Sequence, residues 1–361
     1  VGYNIVISET PDGVPIRLLN EDVLNGSILV ILITCTLASF VTQKRGRQLA
    51  EETEAGKDLQ DTADVDGMNV LIAVNTLSKT EQLVQLALNI RRHNPYDKVY
   101  ALNIINKQEA PDESDKNAKK MLHLATQTGA SADIEIEEVI RYDTIINGIS
   151  GEVKAKKITD LIMGYSTKPY SSDKSFHLIN GILTNELITT YVYNPVQPIS
   201  TIKKNIVVIP PDAEKESGFF YWLSNLWTLA KNCGGGVKFF AAKELEPVFK
   251  TLNELNPISY SFSEFIRWED LLVLSREVAP NDLLTFVLSR KEGISHNPHM
   301  DKVFSYLDKY FRQNNFLLIY PSQKKAEVQD DFFAGAHNHI LDGSVDIQGL
   351  GKEIEKLFTR K

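Results

Sequence analysis

Apolar positions along this chain fall into three textures. From Val23 to Gln43 (VLNGSILVILITCTLASFVTQ) they run on without a charge between Asp22 and Lys44. At a helical rise of about 1.5 Å per residue, such a run spans roughly 30 Å, the thickness of a bilayer's hydrocarbon core. From Ala50 to Gly67 large apolar residues almost vanish, and the acidic stretch EETEAGKDLQDTADVDG reads as a solvated linker. From Asn69 onward, short continuous apolar runs alternate with segments whose apolar positions recur at helical spacing.

That alternation predicts strands at Asn69–Val74, Lys98–Ile105, Ile134–Tyr142 and Leu161–Tyr165, with a last one in ITTYVYNP. The helices between them are LVQLALNIRR after the capping signal Ser78-Lys79-Thr80-Glu81, then Glu113–Thr128, Thr144–Ile158 and Phe176–Leu187. In the second of these Met121, Leu122, Leu124 and Ala125 face inward. The order then repeats. Strands are expected at Asn205–Pro211, Gly236–Ala242, Ile258–Phe265, Leu283–Arg290 and in FLLIYP, with helices at Gly218–Asn232, Glu244–Leu255, Glu269–Val278 and Met300–Gln313. The last helix carries Val303, Phe304, Leu307, Tyr310 and Phe311 on one face. Strand–helix alternation with short connections implies parallel sheets covered on both faces. Two long matching units point to duplication, since solenoid repeats are far shorter.

The apolar run has Glu21 and Asp22 before it and Lys44-Arg45-Gly46-Arg47 after it, the reverse of a signal peptide. Thr34, Cys35, Thr36 and Ser39 dilute it, which leaves a buried core helix as the alternative. Their hydroxyls can return to their own helix's carbonyls, and small polar residues also suit close packing in membranes. Basic residues at its C-terminal end place that end, and with it residues 44–361, on the cytoplasmic side of the membrane. Val1–Ser8 (VGYNIVIS) reads as the tail of an earlier apolar segment running into the polar turn ETPDGVP. The expectation is therefore the C-terminal piece of a longer polytopic protein. Its parts are the end of a membrane domain at 1–47, a linker at 48–67, α/β units at 68–200 and 201–323, and a polar tail at 324–361 with an amphipathic helix from Leu350 to Phe358.

Charge and chemistry narrow this picture. A net charge of −8 without a basic stripe argues against nucleic acid. Cys35 and Cys233 form no disulfide framework, which fits a reducing compartment. His296-Asn297-Pro298-His299 and His337-Asn338-His339 lack the spacing of a metal site, and the first pair reads as a loop before the Met300 helix. Gly234-Gly235-Gly236 reads as a helix stop. Arg267-Trp268-Glu269-Asp270 can line a crevice, or simply start a helix with Trp268 packed under the sheet. Phe219, Phe220, Tyr221, Trp222 and Trp227 read as core and interface. No nucleophile–base pair or catalytic carboxylate pair emerges, so no enzyme is expected, nor a metal.

Five-stranded α/β units whose fourth strand ends in Gly, before a loop and a final helix and strand, resemble universal stress protein domains. A tandem of them behind PIRLLNEDVLNGSILVILITCTLASFVTQ is similar to the C-terminal part of bacterial cation:proton antiporters related to sodium/hydrogen exchangers. The resemblance implies a fold of two tandem five-stranded parallel-sheet domains after a last transmembrane helix. It also implies a regulatory role, with the membrane, the transmembrane domain of the same polypeptide and a second copy as partners. The family's nucleotide signature is Gly, two residues, Gly, nine residues, then Gly with Ser or Thr. Bare backbone amides at such a strand-to-helix turn close on phosphate oxygens.

Here the first unit offers Gly164-Tyr165-Ser166-Thr167, with Thr167 at the second glycine, and Asn75 where an acid is usual. In the second unit Ser289-Arg290-Lys291 replaces the first glycine, and Pro211 the acid. The resemblance thus implies a degenerate adenine-nucleotide site at Asn75, Gly164, Ser166 and Thr167. A different ligand in the same crevice, or a sheet kept only for packing and dimerisation, remains open. So do a soluble stress-type nucleotide-binding protein and a membrane-anchored scaffold without transport.

Overall fold

In the computed structural model the described residues are 6–9, 11–12, 15–17, 25–32, 34, 67–91, 96–106, 111–165, 172–216, 218–265, 267–268 and 274–323. The chain divides into Val1–Val65 and Asp66–Lys361, two separate compact units.

In the first unit β1 (Val6–Glu9) pairs antiparallel with β2 (Pro15–Arg17), so Val6–Ser8 is a hairpin strand, while the rest of the Val1–Ser8 segment lies outside the described residues. Pro11 and Asp12 form the turn between them. A helix, α1, covers residues 25–32, with Ile28 to Leu32 all exposed. The Thr34 hydroxyl donates to the carbonyls of Val30 (2.8 Å) and Ile31 (3.0 Å), the local return expected for small polar residues in this run. Among the described residues no helix is long and apolar enough to cross a membrane. Most of the remaining run to Gln43, the acidic linker and the tail after Gln323 lie outside the described residues.

The second unit is built on one ten-stranded sheet. Its elements are β3 (Asn69–Ala73), α2 (Leu77–Ile90), β4 (Lys98–Ile105), α3 (Pro111–Ala130), β5 (Ile136–Tyr142), α4 (Ile145–Ala155), β6 (Asp160–Gly164), α5 (Ser172–Asn185) and β7 (Thr189–Asn194). They continue with β8 (Lys204–Val208), α6 (Phe219–Cys233), β9 (Gly236–Ala241), α7 (Glu246–Leu255), β10 (Tyr260–Glu264), β11 (Asp282–Val287), α8 (Val303–Tyr310) and β12 (Asn315–Tyr320). The strand order is β10-β9-β8-β11-β12-β7-β6-β3-β4-β5. Every neighbouring pair is parallel except β12 with β7. Each half therefore winds outward from its first strand, reverses, and ends on its fifth. The two fifth strands join the halves back to back. The sequence reading had two separate parallel sheets; the structure has one mixed sheet.

Period-2 alternation sends side chains to two cores. Val70 and Ile72 of β3 join α2, α3, α6 and α7 on one face, while Leu71 joins α4, α5 and α8 on the other. Reversing direction after β5 and again after β10 is what moves the helices to the second face. Thr144, the expected first residue of this helix, is instead its N-cap and accepts from Asn147 N. The α2 boundary differs: its N-cap is Thr76, so Ser78 lies inside the first turn and is no cap. At α8 a short 3-10 turn (Pro298–Lys302) precedes the helix, and Tyr310 turns to solvent, unlike Val303, Phe304, Leu307 and Phe311. Of the expected Glu269–Val278 helix, the described part forms only a 3-10 turn at residues 274–276.

Candidate functional site

Open α/β sheets bind ligands at strand C-termini, where the winding direction reverses. In the first half that point lies between β3 and β6. The end of β3 is held by Val74 N donating to Leu102 O (2.9 Å) and by Asn103 Nδ2 donating to Val74 O (2.7 Å). The chain then passes through exposed Asn75 and Thr76 into α2, and Thr76 makes no side-chain cap. Opposite, β6 ends at Gly164, and Tyr165 N donates to Tyr193 O (2.8 Å).

Lys79, one turn into α2, reaches across this opening. Its ammonium donates to Tyr165 O and to Asn194 Oδ1 (3.0 Å) at the end of β7. Partial burial depresses its pKa, because leaving water disfavours the charged form. Asn194 is buried, and among the described residues its Nδ2 has no hydrogen-bond partner. A methyl built on Gly164 would stand 3.5 Å from Leu83 Cδ1, 3.8 Å from Lys79 Cδ and 4.0 Å from Asn75 Oδ1. Two predicted residues, Asn75 and Gly164, thus flank one crevice, while Ser166 and Thr167 lie outside the described residues. The sequence reading missed Lys79 as a site residue by treating it as part of a capping box. A lysine on the first turn after a strand end was the available signal. A cation, an amide and an uncapped helix start suit an anionic group, so the first half's residues fit a phosphate-bearing ligand.

Backbone hydrogen bonds give the register of the second half. Ile209 N donates to Phe240 O (2.8 Å) as Val74 does to Leu102, and Leu288 N donates to Ile319 O (2.8 Å) as Tyr165 does to Tyr193. Pro210, not Pro211, therefore stands at the place of Asn75, and Val287, not Ser289, at that of Gly164. Ser289 corresponds to Ser166. Here the crevice is filled: buried Glu216, from the loop after β8, accepts from the Ser289 hydroxyl (2.8 Å), Ser295 N (3.0 Å) and the Ser295 hydroxyl (2.9 Å). The second half does not fit a phosphate ligand in this state.

A separate cavity of about 380 Å³ lies between α5 and the loop joining β11 to α8. Leu183, Leu288, Phe304 and Tyr320 line it with Arg290 and His296. Arg290 is buried, and its guanidinium donates to the carbonyls of Pro321, Glu186 and Ile188 (2.7 Å for the last), clamping the start of β7 to the end of β12. Burial lowers its pKa to about 10.

Other candidates resolve structurally. Asn297 accepts from His299 N (2.9 Å) and caps the 3-10 turn, so His296 sits in the expected loop and His299 in the turn itself; His337 and His339 lie outside the described residues. Among the described residues no group of metal-ligating side chains assembles. Trp268 is buried edge-on against Phe265, while Glu269 and Asp270 lie outside the described residues. Phe219, Phe220, Trp222 and Trp227 are core, and the Tyr221 hydroxyl donates to Asp160, tying α6 to β6. Gly234 ends α6 at φ 67°, as a helix stop should. Burial raises the Cys233 thiol pKa to about 11, and Cys35 lies outside the described residues.

The class defined by this geometry is a doubly wound α/β protein, its winding pattern used twice in one sheet. The chain matches no protein-family model, and no curated protein matches it significantly. Among solved structures it is similar to the cytoplasmic domain of a prokaryotic cation chloride cotransporter, at 13% identity and a TM-score of 0.48, over 72% of this chain and 98% of that one. It is also similar to a universal stress protein from Archaeoglobus fulgidus DSM 4304, at 13% identity and a TM-score of 0.44, over 71% of this chain and 97% of that one.

Proposed function

We propose that the α/β body is a ligand-sensing regulatory region and that the full protein is a monovalent cation:proton antiporter. The carrying observation is the first-half crevice, where Lys79 bridges Tyr165 and Asn194 beside Asn75 and Gly164. It offers an anion a cation without an acid among its named residues, and it occurs in one half only. In this reading the run Val23–Gln43 is the last membrane helix, residues 44–361 face the cytoplasm, and the transport residues belong to a membrane domain of the same polypeptide. The body acts by binding, not by catalysis, and pairs with a second copy. An adenine nucleotide is the ligand class, its phosphates at Lys79 and the start of α2. It shifts transport only to the extent that it binds two access states unequally.

The test is cation–proton exchange in vesicles holding full-length protein, Lys79→Ala, or protein truncated after Arg47. Nucleotide should alter exchange in the first only, and Lys79→Ala should weaken nucleotide binding about tenfold or more, the worth of about 1.4 kcal/mol. Identical exchange in all three under every nucleotide sinks the regulatory reading. Release of the protein from membranes by alkaline wash sinks the membrane assignment and leaves a soluble nucleotide-binding protein.

A further inference from the structure

The two halves share a winding pattern but not the content of their crevices. In the first half the opening between the first and fourth strands holds the Lys79 ammonium. In the second, the corresponding opening between β8 and β11 holds a carboxylate. Glu216 is only 5% exposed, and one of its oxygens, Oε1, takes all three donors: a backbone amide and two hydroxyls from a single loop, Ser289 to Ser295. Donors converging on one oxygen are the arrangement by which a protein holds a bound anion. The loop is shaped around that oxygen. A methyl on Gly293 would lie 2.6 Å from Glu216 Oε1 and 1.9 Å from Ser289 Oγ, so a larger residue there would have to displace the groups that make the cradle. Gly293 N in turn donates to Arg290 O (2.9 Å), setting the turn.

The geometry points to an anion-binding site in the second half whose resident anion is the protein's own Glu216 carboxylate, in the place a diffusing carboxylate or phosphate would take. Glu216 comes from the loop after β8, which passes Pro210-Pro211 and a left-handed Asp212 (φ 63°) before a 3-10 turn brings the side chain inward. The second half is thereby self-liganded, which leaves the first half as the one open to a free anion. This inference stands on the loop geometry and does not depend on the transporter assignment.

Removing the side chain should turn the cradle into a receptor. Glu216→Ala, Glu216→Gln and the unaltered chain are compared by thermal unfolding in sodium acetate, sodium phosphate, and sodium chloride at matched ionic strength. Glu216→Gln keeps an acceptor oxygen in the cradle and serves as the filled control. The expected result is a saturable rise in Tm for Glu216→Ala alone, about 2–4 °C at roughly ten times the Kd of acetate or phosphate. If Glu216→Ala does not fold unaided, acetate or phosphate should restore its folded circular dichroism signal where chloride does not. No acetate- or phosphate-specific response in Glu216→Ala, folded or not, overturns the proposal. So does an equal response in all three proteins.

Discussion

At the scale of single residues, two glycines behave oppositely, and only one has a reason within the protein. Gly293 is hemmed in by Ser289 Oγ, Glu216 Oε1 and Gln323 Nε2, all closer than 3 Å to an added methyl. Gly293→Ala must rotate Ser289 away and leave a buried carboxylate short of a donor, at a cost of about 1–3 kcal/mol. Among the described residues Gly164 meets nothing closer than 3.5 Å, ordinary contact, so Gly164→Ala should be neutral or stabilising by up to about 1 kcal/mol. Urea midpoints of the two variants check both statements, and equal losses would contradict them. A neutral Gly164→Ala would show that packing among the described residues does not require glycine at 164. The glycine was legible in the sequence, being the end of an apolar strand run. Lys79, Asn194 and Glu216 were not, because nothing in spacing says which side chain will cross a crevice or fill it.

Elements were legible where apolar period and length agreed. The inner strands of both halves fall within a few residues of their apolar runs, since a buried parallel strand is apolar on both faces, while the edge strands β5 and β10 carry polar, exposed positions. Boundaries failed where local chemistry was ambiguous. Ser78 looked like a cap, yet Thr76 is the last extended residue, and Ser78 simply rides the first turn. Helix α6 shows the reverse, a segment whose tryptophans read as core and interface but whose polar atom also matters. Trp227 stacks near-parallel to Phe239 at 5.8 Å, and its Nε1 donates to Asn256 O (2.7 Å) at the C-cap of α7. Trp227→Phe keeps much of the stacking but strands that buried carbonyl, so stability should fall by about 1–3 kcal/mol. Denaturant unfolding followed by far-UV circular dichroism measures it. A change within error would mean that Asn256 finds another donor.

For the whole unit, the decisive feature was absent from the residue pattern: the two halves share one sheet through β7 and β12. Both strands are buried at all six positions, as any central strand would be, so the apolar pattern did not reveal their antiparallel pairing. Thr190–Asn194 pairs with Phe316–Tyr320, and Arg290 adds a clamp by donating to carbonyls at both strand ends. A half cut free at residue 197 would carry β7 as an open edge, with unpaired backbone groups and side chains that are buried at every position in the intact sheet. Such an edge recruits another strand. Residues 66–197 alone should therefore self-associate or aggregate at concentrations where residues 66–323 stay monodisperse. Sedimentation equilibrium compares them, and a stable 66–197 monomer at about 100 μM would show that β7 needs no partner. If the prediction holds, neither crevice belongs to an independent domain. Under the proposed nucleotide reading, an anion at Lys79, whose amine is bonded to Asn194, would then act on a residue of the seam itself, since Asn194 pairs with Phe316 of β12.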